Sequence, residues 1–191
     1  VQTCALPISA ELLGAPLPPR PPGFCVGCPE RPVFSAMKLL ERETGGFHVS
    51  ADIGCHTFST LPPFNIGNTV LGYGLGLASN SAVNPMFSRR TFTIMGDGGF
   101  WHNGLLTGVQ AALFNGDDAV LLIMKNGYTS ATGTQDILST PDHAAKEHAV
   151  DKQRSLVHEN QAIESTLKGI GVQWLRTVDN YDVTAMRRTL E

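Results

Sequence analysis

Asp97 and Asn126 are two polar residues that each follow an apolar segment, at residues 91–95 and 119–124. Carboxylate and amide oxygens are hard ligands of the kind that Mg²⁺ takes, and waters and phosphate oxygens commonly complete its coordination. Glycines at positions 96, 98 and 99 flank the carboxylate and would let the backbone approach a diphosphate closely. The spacing therefore predicts a site for a diphosphate bridged by Mg²⁺. The competing interpretation is an ordinary β-turn, in which the sequence Gly-Asp-Gly also occurs.

Alternating strands and helices are needed to bring these two residues together. We predict strands at residues 47–53, 91–95, 119–124 and 172–178. We predict helices at residues 33–42 (opened by Pro32), 103–114, 162–168 and 181–190 (capped by Asp179 or Asn180). This order predicts an α/β fold with a mainly parallel sheet and helices on both faces. Asp97 and Asn126 would then lie side by side at the carboxyl edge of the sheet, where such folds bind ligands.

Two segments between these elements are less regular. Residues 69–79 carry glycines at positions 72, 74 and 76 among apolar residues. A dinucleotide-binding fingerprint would need the spacing G-x-G-x-x-G directly after a strand, so we interpret residues 69–79 as a helix whose small residues pack closely on the sheet. Residues 129–159 form a long polar connection, which is typical of a functional loop or a mobile insertion.

The composition limits the classes of function. With 191 residues and 42% hydrophobic content, the chain can fill one sizeable core. Only 16% of the residues are charged, which favours an oligomer or a larger polypeptide that covers several faces. The net charge of −3 does not indicate a nucleic-acid surface, and no apolar run reaches the ~18 residues of a membrane span. Four cysteines in a chain without a signal peptide indicate a reduced, cytoplasmic protein.

We divide the chain into three parts. Residues 1–9 can be back-translated into a widely used sequencing-library adapter, so we interpret them as an assembly artefact and assign no role to Cys4. Residues 10–23 are rich in proline and are predicted to form an extended linker. Residues 24–191 form the folded domain. The last helical pattern continues to Glu191, so we expect the chain to be a fragment of a longer protein.

Motifs in a consistent order along the chain resemble one enzyme family. The segment from Gly96 to Asn126 resembles the thiamine diphosphate motif of thiamine-dependent enzymes. The segments 21–29 (PPGFCVGCP), 52–55 (DIGC) and 129–135 (TSATGTQ) are similar to the thiamine-binding region of the alpha subunit of indolepyruvate ferredoxin oxidoreductases. The resemblance covers residues 20–141 closely. It implies a thiamine diphosphate-binding fold, in which residues 24–191 form the domain on the diphosphate side of the cofactor.

The resemblance also assigns roles to individual residues. Asp97, the Asn126 side chain and the Tyr128 carbonyl would bind Mg²⁺. His102, at the start of the helix after the metal loop, would face the reacting carbon as a catalytic residue, and the alternative is a surface histidine. The diphosphate and the thiazolium ring would contact two glycine turns, made of Gly96, Gly98 and Gly99 and of Gly54, Cys55 and His56.

Cys25, Cys28 and Cys55 have several interpretations. Zinc prefers four ligands, but only three cysteines remain without Cys4, and a disulfide is disfavoured in a reduced compartment. In related 2-oxoacid oxidoreductases, cysteines at comparable positions help to hold a [4Fe–4S] cluster. The resemblance therefore makes these three residues candidate cluster ligands, with a fourth ligand from elsewhere, and the alternative is a set of thiols that line the cofactor pocket. Glu30 is a departure, because the family usually has histidine there.

The implied function is the oxidative decarboxylation of a 2-oxoacid to an acyl-coenzyme A, with ferredoxin as electron acceptor. An aryl pyruvate such as indolepyruvate is the implied substrate, and nearby aromatic residues would either line its pocket or belong to the core: Phe58, Phe64, Phe100, Trp101 and Tyr128. Members of the superfamily take an activating glutamate from a pyrimidine-side domain or subunit, so the fragment is expected to be inactive alone. The alternatives are a non-oxidative thiamine-dependent decarboxylase or synthase, and a diphosphate-binding subunit without catalytic activity.

Overall fold

The computed structural model describes residues 11, 12, 14, 21–140 and 162–191, and it contains a parallel sheet of four strands. The strands are β1 (Val49–Ala51), β2 (Thr69–Val70), β3 (Thr91–Gly96) and β4 (Ala119–Met124), and their order in the sheet is β2-β1-β3-β4. Gly96 pairs with Met124 where β3 and β4 end. The residues that follow these two strands are therefore neighbours.

Helical segments connect the strands and complete the fold. In chain order they are α1 (Arg31–Thr44), α2 (Gly76–Val83), α3 (Asp97–Gly99), a π-helical segment (Phe100–Gln110), α4 (Ala111–Asn115), α5 (residues 162–169) and α6 (Val183–Leu190). Two 3₁₀ segments span Cys55–Thr60 and Asn84–Met86. A short antiparallel pair, β5 (Tyr128–Thr129) and β6 (Gln135–Asp136), follows β4.

The two faces of the sheet have separate hydrophobic clusters. Residues of α1 and α6 pack on one face with Ile94, and residues of α2, the π-helical segment and α5 pack on the other face with Met95. Ile94 and Met95 are adjacent in β3, and successive strand residues point to opposite faces. Helices thus cover both faces of a parallel sheet, and the predicted α/β architecture is confirmed.

The helix after β3 begins earlier than predicted. We expected it to start at Asn103, but the chain is helical from Asp97, through the π-helical segment, to Asn115. Glycines at positions 98 and 99 permit this start, because a Cβ at Gly99 would collide with the Asp52 carboxylate. The carboxylate of Asp97 therefore stands at the junction of strand and helix.

The glycine-rich segment 69–79 is not one helix, so that prediction is wrong. Thr69–Val70 pairs with β1 as an edge strand, the chain bends, and α2 begins only at Gly76. Gly74 has a φ of 78°, in the left-handed region that favours glycine and is incompatible with a right-handed helix. The expected close packing does occur at Gly76, where a Cβ would lie 2.8 Å from the Asp52 nitrogen.

The segment 172–178 is not a strand, and β2 is the fourth strand instead. Residues 172–178 pair with no strand in the described part of the chain, and Val172 and Leu175 pack in the cluster that contains Met95. The predicted cap of the last helix is also wrong. Asp182 caps α6, and its Oδ1 accepts a hydrogen bond from the Ala185 nitrogen at 2.8 Å.

Several predictions concern residues outside the described part of the chain. They are the adapter-derived segment 1–9, most of the proline-rich linker 10–23, and residues 141–159 of the long connection. The described beginning of that connection contains β5 and β6. In the part of the chain that the structure describes, the helices are too short or too polar to cross a membrane.

Candidate functional site

A cavity of about 350 Å³ opens where β1, β3 and β4 end. Its walls come from the turns after these strands, from the loop before α2 and from the β5–β6 segment. The structure brings all the predicted cofactor-binding residues to this cavity: Gly54, Cys55, His56, Gly96, Asp97, Gly98, Gly99, Asn126 and Tyr128. The carboxyl ends of parallel strands form such a ligand crevice in open α/β sheets.

Backbone N–H groups hold the carboxylate of Asp97, which is only 2% exposed. Oδ2 accepts hydrogen bonds from the nitrogens of Asn126, at 2.9 Å, and Gly127, at 2.7 Å. Oδ1 accepts one from the nitrogen of Gly98, at 2.9 Å. Burial raises the pKa of Asp97, and these three hydrogen bonds lower it in part. The carboxylate is thereby oriented before any ligand binds.

The same hydrogen bonds leave Asp97 one position for a metal ion. A carboxylate has about four lone-pair sites, and three of them are occupied here, two on Oδ2 and one on Oδ1. The remaining site on Oδ1 suits a single bond to a cation. In the described residues, no three His, Cys, Asp or Glu side chains are grouped to hold a metal. A cation here would therefore depend on amide, carbonyl and ligand oxygens as well.

Asn126 and Tyr128 continue the wall beside Asp97. The Asn126 Oδ1 accepts a hydrogen bond from the Tyr128 nitrogen at 3.1 Å, which forms an Asx turn. The Asn126 amide nitrogen lies 3.5 Å from the Ser130 hydroxyl. Both Asn126 and Tyr128 are exposed in the cavity mouth. Asn126 thus contacts the Asp97 carboxylate through its backbone nitrogen, and Tyr128, which also lines the cavity, follows two residues later.

The glycines of the metal loop differ in the space around them. A Cβ at Gly96 would meet no heavy atom within 4 Å, although Gly96 lines the cavity. A Cβ at Gly98 would collide with the hydroxyls of Tyr73 and Thr129. Gly98 is therefore needed by the fold, whereas the absence of a side chain at Gly96 keeps cavity space open for a ligand.

A second polar network lies at the end of β1. The His56 Nε2 lies 2.6 Å from Asp52 Oδ1 and donates a hydrogen bond to the Asp52 backbone oxygen at 3.1 Å. Asp52 Oδ2 accepts from the Gly74 nitrogen at 2.8 Å. Burial lowers the pKa of His56, but the Asp52 carboxylate, helped by Glu30, raises it by more, so that the net direction is upward. His56 is thus a buried, charge-paired histidine in the cavity wall.

Sequence reasoning assigned no role to Asp52, Glu30 or Tyr73. Asp52 follows β1 as Asp97 follows β3, so the rule that predicted Asp97 would also have found Asp52. Glu30 stands before α1 and lines the cavity, which only the tertiary fold reveals. Tyr73 bridges the cavity wall, because its hydroxyl lies 2.7 Å from the Thr129 hydroxyl. No local signal marked this contact, since 56 positions separate the two residues.

Three thiols share the region beside the cavity. Burial raises the pKa of the Cys28 thiol, and the nearby Glu30, Cys55 and Cys25 add to the increase. Cys55 lines the cavity, with its Sγ 3.6 Å from the Ser130 hydroxyl. No disulfide joins these cysteines in the described part of the chain. The three thiols are not grouped closely enough in the described structure to hold a metal by themselves, so their role as cluster ligands stays a prediction.

His102 lies outside the cavity wall. Its side chain is exposed, and its ring packs against Tyr73 with centroids 5.1 Å apart. Tyr73 does line the cavity, so His102 stands behind a wall residue rather than in the wall itself. Its predicted catalytic role stays a prediction.

Most of the aromatic residues near the motifs belong to the core. Phe58 and Phe64 pack around Phe24, and Phe100 is completely buried against Trp101. Tyr128 differs, because it is 40% exposed and lines the cavity. In the part of the site that the structure describes, the tyrosines that line the cavity are Tyr73 and Tyr128.

Comparison with known proteins agrees with this geometry. Residues 52–191 match the family described as "Thiamine pyrophosphate enzyme, C-terminal TPP binding domain". The chain belongs to this family. The cavity at the ends of β1, β3 and β4 lies within the matched residues except for Glu30, and thiamine diphosphate is the cofactor that the family's description names.

This TPP-binding domain is similar to subunits of indolepyruvate oxidoreductases. It is 28% identical to "Indolepyruvate oxidoreductase subunit IorA" of Archaeoglobus fulgidus over 177 residues, which cover 93% of the chain and 27% of the relative. The subunit IorA of Thermococcus kodakarensis is 27% identical over 189 residues, with 92% and 27% covered. The chain thus spans about a quarter of the length of these relatives, and the resemblance expected from the motifs is confirmed.

A solved structure supports the fold of the TPP-binding domain. It is a 2-oxoglutarate:ferredoxin oxidoreductase from Magnetococcus marinus with 2-oxoglutarate, coenzyme A and succinyl-CoA bound. The TM-score is 0.51 at 19% identity, and the match covers 62% of this chain and 42% of that chain. The predicted thiamine diphosphate-binding fold is therefore confirmed.

Proposed function

We propose that this chain holds the diphosphate of thiamine diphosphate, through Mg²⁺, in an oxidative 2-oxoacid:ferredoxin oxidoreductase of the indolepyruvate type. The observation that carries the proposal is the buried Asp97 carboxylate, oriented by three backbone N–H groups in the cavity of a TPP-binding domain. Asp97, the Asn126 side-chain oxygen and the Tyr128 carbonyl would hold the metal.

The charges around the cavity support a metal-bridged ligand. Glu30 and Asp97 are the acidic residues of its wall, and none of the wall residues in the described part of the chain is lysine or arginine. A diphosphate would be repelled by such a wall unless a cation accompanied it. The remaining lone-pair site of Asp97 and the open space beside Gly96 suit a metal ion and the phosphate oxygens bound to it.

The residues of the chain prepare the site for the cofactor. When bound, thiamine diphosphate supplies the nucleophilic carbon and the electron sink for decarboxylation of a 2-oxoacid. Asp97 contributes a fixed negative charge that needs no reorientation, because its hydrogen bonds are already made. The hydrogen bond between the Tyr73 and Thr129 hydroxyls joins two segments of the cavity wall beside Gly98. The ion pair between Asp52 and His56 keeps the imidazole proton buried in the wall.

The whole protein would convert an aryl pyruvate such as indolepyruvate, with coenzyme A, to an acyl-coenzyme A and would reduce ferredoxin. The names of the similar subunits support this activity, and so does the fold shared with a 2-oxoglutarate:ferredoxin oxidoreductase. A pyrimidine-side domain or subunit would supply the activating glutamate. The chain would act in a cytoplasmic oligomer, with His102 near the substrate side of the site.

The three cysteines would provide a route for electrons. We propose that Cys25, Cys28 and Cys55 bind a [4Fe–4S] cluster together with a ligand from outside the described residues. The location of Cys28 near both Cys25 and Cys55 supports this proposal. Iron and sulfide analysis of the anaerobically purified complex tests it. A Cys28→Ser complex with unchanged iron and sulfide content would contradict it.

The test of the proposed function is an assay of the complete complex, expressed without oxygen from full-length genes. Indolepyruvate, coenzyme A, thiamine diphosphate and Mg²⁺ should give the acyl-coenzyme A and reduced ferredoxin together. Product formation without a reduced acceptor would assign the protein to the non-oxidative thiamine enzymes. The Asp97→Ala complex serves as the control without a functional metal site.

A further inference from the structure

Glu30 is a partly buried acidic residue in the cavity wall that the proposed function does not use. It occupies the position before α1, but its side chain accepts no hydrogen bond from the helix N-terminus. Its Oε2 is buried and has no hydrogen-bond partner among the residues that the structure describes. The side chain lines the cavity that contains Asp97. A buried carboxylate oxygen without a partner is costly, so a positive charge placed near it in the cavity would be stabilised.

The charged groups near Glu30 show that its negative charge has no separate positive partner among the described residues. Asp52, Asp97 and His56 influence the pKa of Glu30, and Cys28 lies close to it. Burial raises the pKa of Glu30, His56 lowers it, and Asp52 and Asp97 raise it further. His56 is already paired with Asp52 at 2.6 Å. Among the residues that the structure describes, Glu30 and Asp97 are therefore two wall carboxylates that no lysine or arginine of the cavity wall accompanies.

A metal ion at Asp97 would match only one of these two charges. A second Mg²⁺ at Glu30 would need several hard oxygen ligands, and no group of three acidic, histidine or cysteine side chains in the described residues provides them. A cationic ring needs only a facing negative charge and no coordination shell. The thiazolium of thiamine diphosphate is such a ring, and it is joined to the diphosphate that Asp97 would anchor.

We infer that Glu30 is the counter-charge for the cationic thiazolium ring, a binding role that rests on the proposed function. Its carboxylate favours the charged ring over a neutral ring of the same shape. Glu30 thus contributes to the choice of ligand, and Asp97 contributes to the anchoring of the diphosphate.

The inference is tested with two ligands that differ only in ring charge. Deazathiamine diphosphate has a carbon in place of the thiazolium nitrogen, so its ring is neutral. Both ligands are titrated calorimetrically, with Mg²⁺, into the cofactor-free complete complex. Glu30→Gln should weaken the binding of thiamine diphosphate about tenfold and change the binding of the deaza analogue less than about twofold. Glu43→Gln, an exposed change on the same helix, should alter neither affinity.

The possible outcomes separate this inference from the proposed function. An equal loss for both ligands, or no loss for either, overturns the role of Glu30 while the diphosphate site stands. Failure of the wild-type complex to bind either ligand overturns the proposed function and the inference with it. If Glu30→Gln does not fold, Glu30→Asp keeps the charge and should retain the wild-type ratio of the two affinities. A ratio in this variant that moves about tenfold toward the deaza analogue overturns the inference.

Discussion

Asp52 and Asp97 occupy equivalent places, directly after β1 and directly after β3, and the fold uses them differently. Both are buried, and both accept hydrogen bonds from backbone N–H groups. Asp52 is also paired with the His56 side chain, at 2.6 Å. The hydrogen bonds that Asp97 accepts from the described residues come from backbone N–H groups, and Asp97 lines the cavity.

The difference shows what turns a carboxylate at a strand end into a binding group. The position after a parallel strand brings the side chain to the ligand edge of the sheet. Whether the charge is then available depends on the next turn. After β1, the 3₁₀ segment Cys55–Thr60 places the His56 side chain against the Asp52 carboxylate. After β3, the turn at Gly98 places a backbone N–H group against the Asp97 carboxylate. Asp52 therefore stabilises the wall, and Asp97 is the carboxylate that we propose binds a cation.

The largest effect is expected at the structural carboxylate. Asp52→Asn should reduce the free energy of unfolding by about 3 kcal/mol at pH 6, because it leaves a buried imidazolium unpaired. The pKa of His56 in the folded chain is raised above 6.5, so the pair stabilises the fold fully below that pH and loses its contribution as the pH rises through the folded-state pKa. Urea unfolding from pH 5 to pH 9 measures the difference between the two proteins. A difference that grows with pH would contradict the account.

A substitution of Asp97 should affect cofactor affinity, whereas the substitution of Asp52 affects stability. Asp97→Ala should weaken Mg²⁺-dependent binding of thiamine diphosphate by at least about a hundredfold, or about 2.7 kcal/mol, because it removes the charged metal ligand. Calorimetric titration measures the affinity, and Asp118→Asn, an exposed carboxylate paired with Arg90, is the matched control. An Asp97→Ala protein with normal affinity would remove the metal assignment.

Two glycines of the same loop separate folding from binding. Gly99→Ala should lower the free energy of unfolding by about 2 kcal/mol, since its Cβ would collide with the Asp52 carboxylate. Gly96→Ala should change stability by less than about 0.5 kcal/mol but weaken cofactor binding, since its Cβ would occupy open space beside the cavity. Unfolding of the cofactor-free chain and calorimetry together check the pair. Equal stability losses in the two variants would contradict the assignment of Gly99 to folding and of Gly96 to cofactor binding.

The smallest effect is expected at the contact that joins the cavity walls. Tyr73→Phe removes a hydroxyl that lies 2.7 Å from the Thr129 hydroxyl, so stability should fall by about 1 kcal/mol. The matched variant Tyr181→Phe removes an exposed hydroxyl that donates to the Gly27 oxygen at 3.3 Å, and it should cost less. Thermal unfolding of both proteins makes the comparison. A larger loss for Tyr181→Phe would contradict the proposed closing role of Tyr73.

The central strands and the metal loop could be predicted from the sequence because the signals are local. β3 and β4 are apolar runs with β-branched residues, and they occur within one residue of the predicted bounds. Two parallel strands joined by a helix necessarily place their carboxyl ends together, so the proximity of Asp97 and Asn126 followed from order alone.

The remainder depends on contacts between distant residues. Residues 172–178 have the apolar content of a strand, but in the fold no strand of the described sheet pairs with them. The approach of Glu30 to the cavity depends on how α1 packs on the sheet. The surroundings of His56 depend on the turn after β1, where the short 3₁₀ segment was not predicted. Sequence patterns thus located the ligand edge, and packing decided which charges remain available there.

The most direct test of the Asp97 site is whether Mg²⁺ and thiamine diphosphate stabilise the protein only together. Thermal unfolding would be followed with Mg²⁺ alone, with thiamine diphosphate and EDTA, and with both ligands. We predict that a hundredfold excess of both over the dissociation constant adds about 2.7 kcal/mol of stability, and that either ligand alone adds less than about 0.5 kcal/mol. Equal protection by thiamine diphosphate in the presence of EDTA would contradict a metal-bridged diphosphate at Asp97.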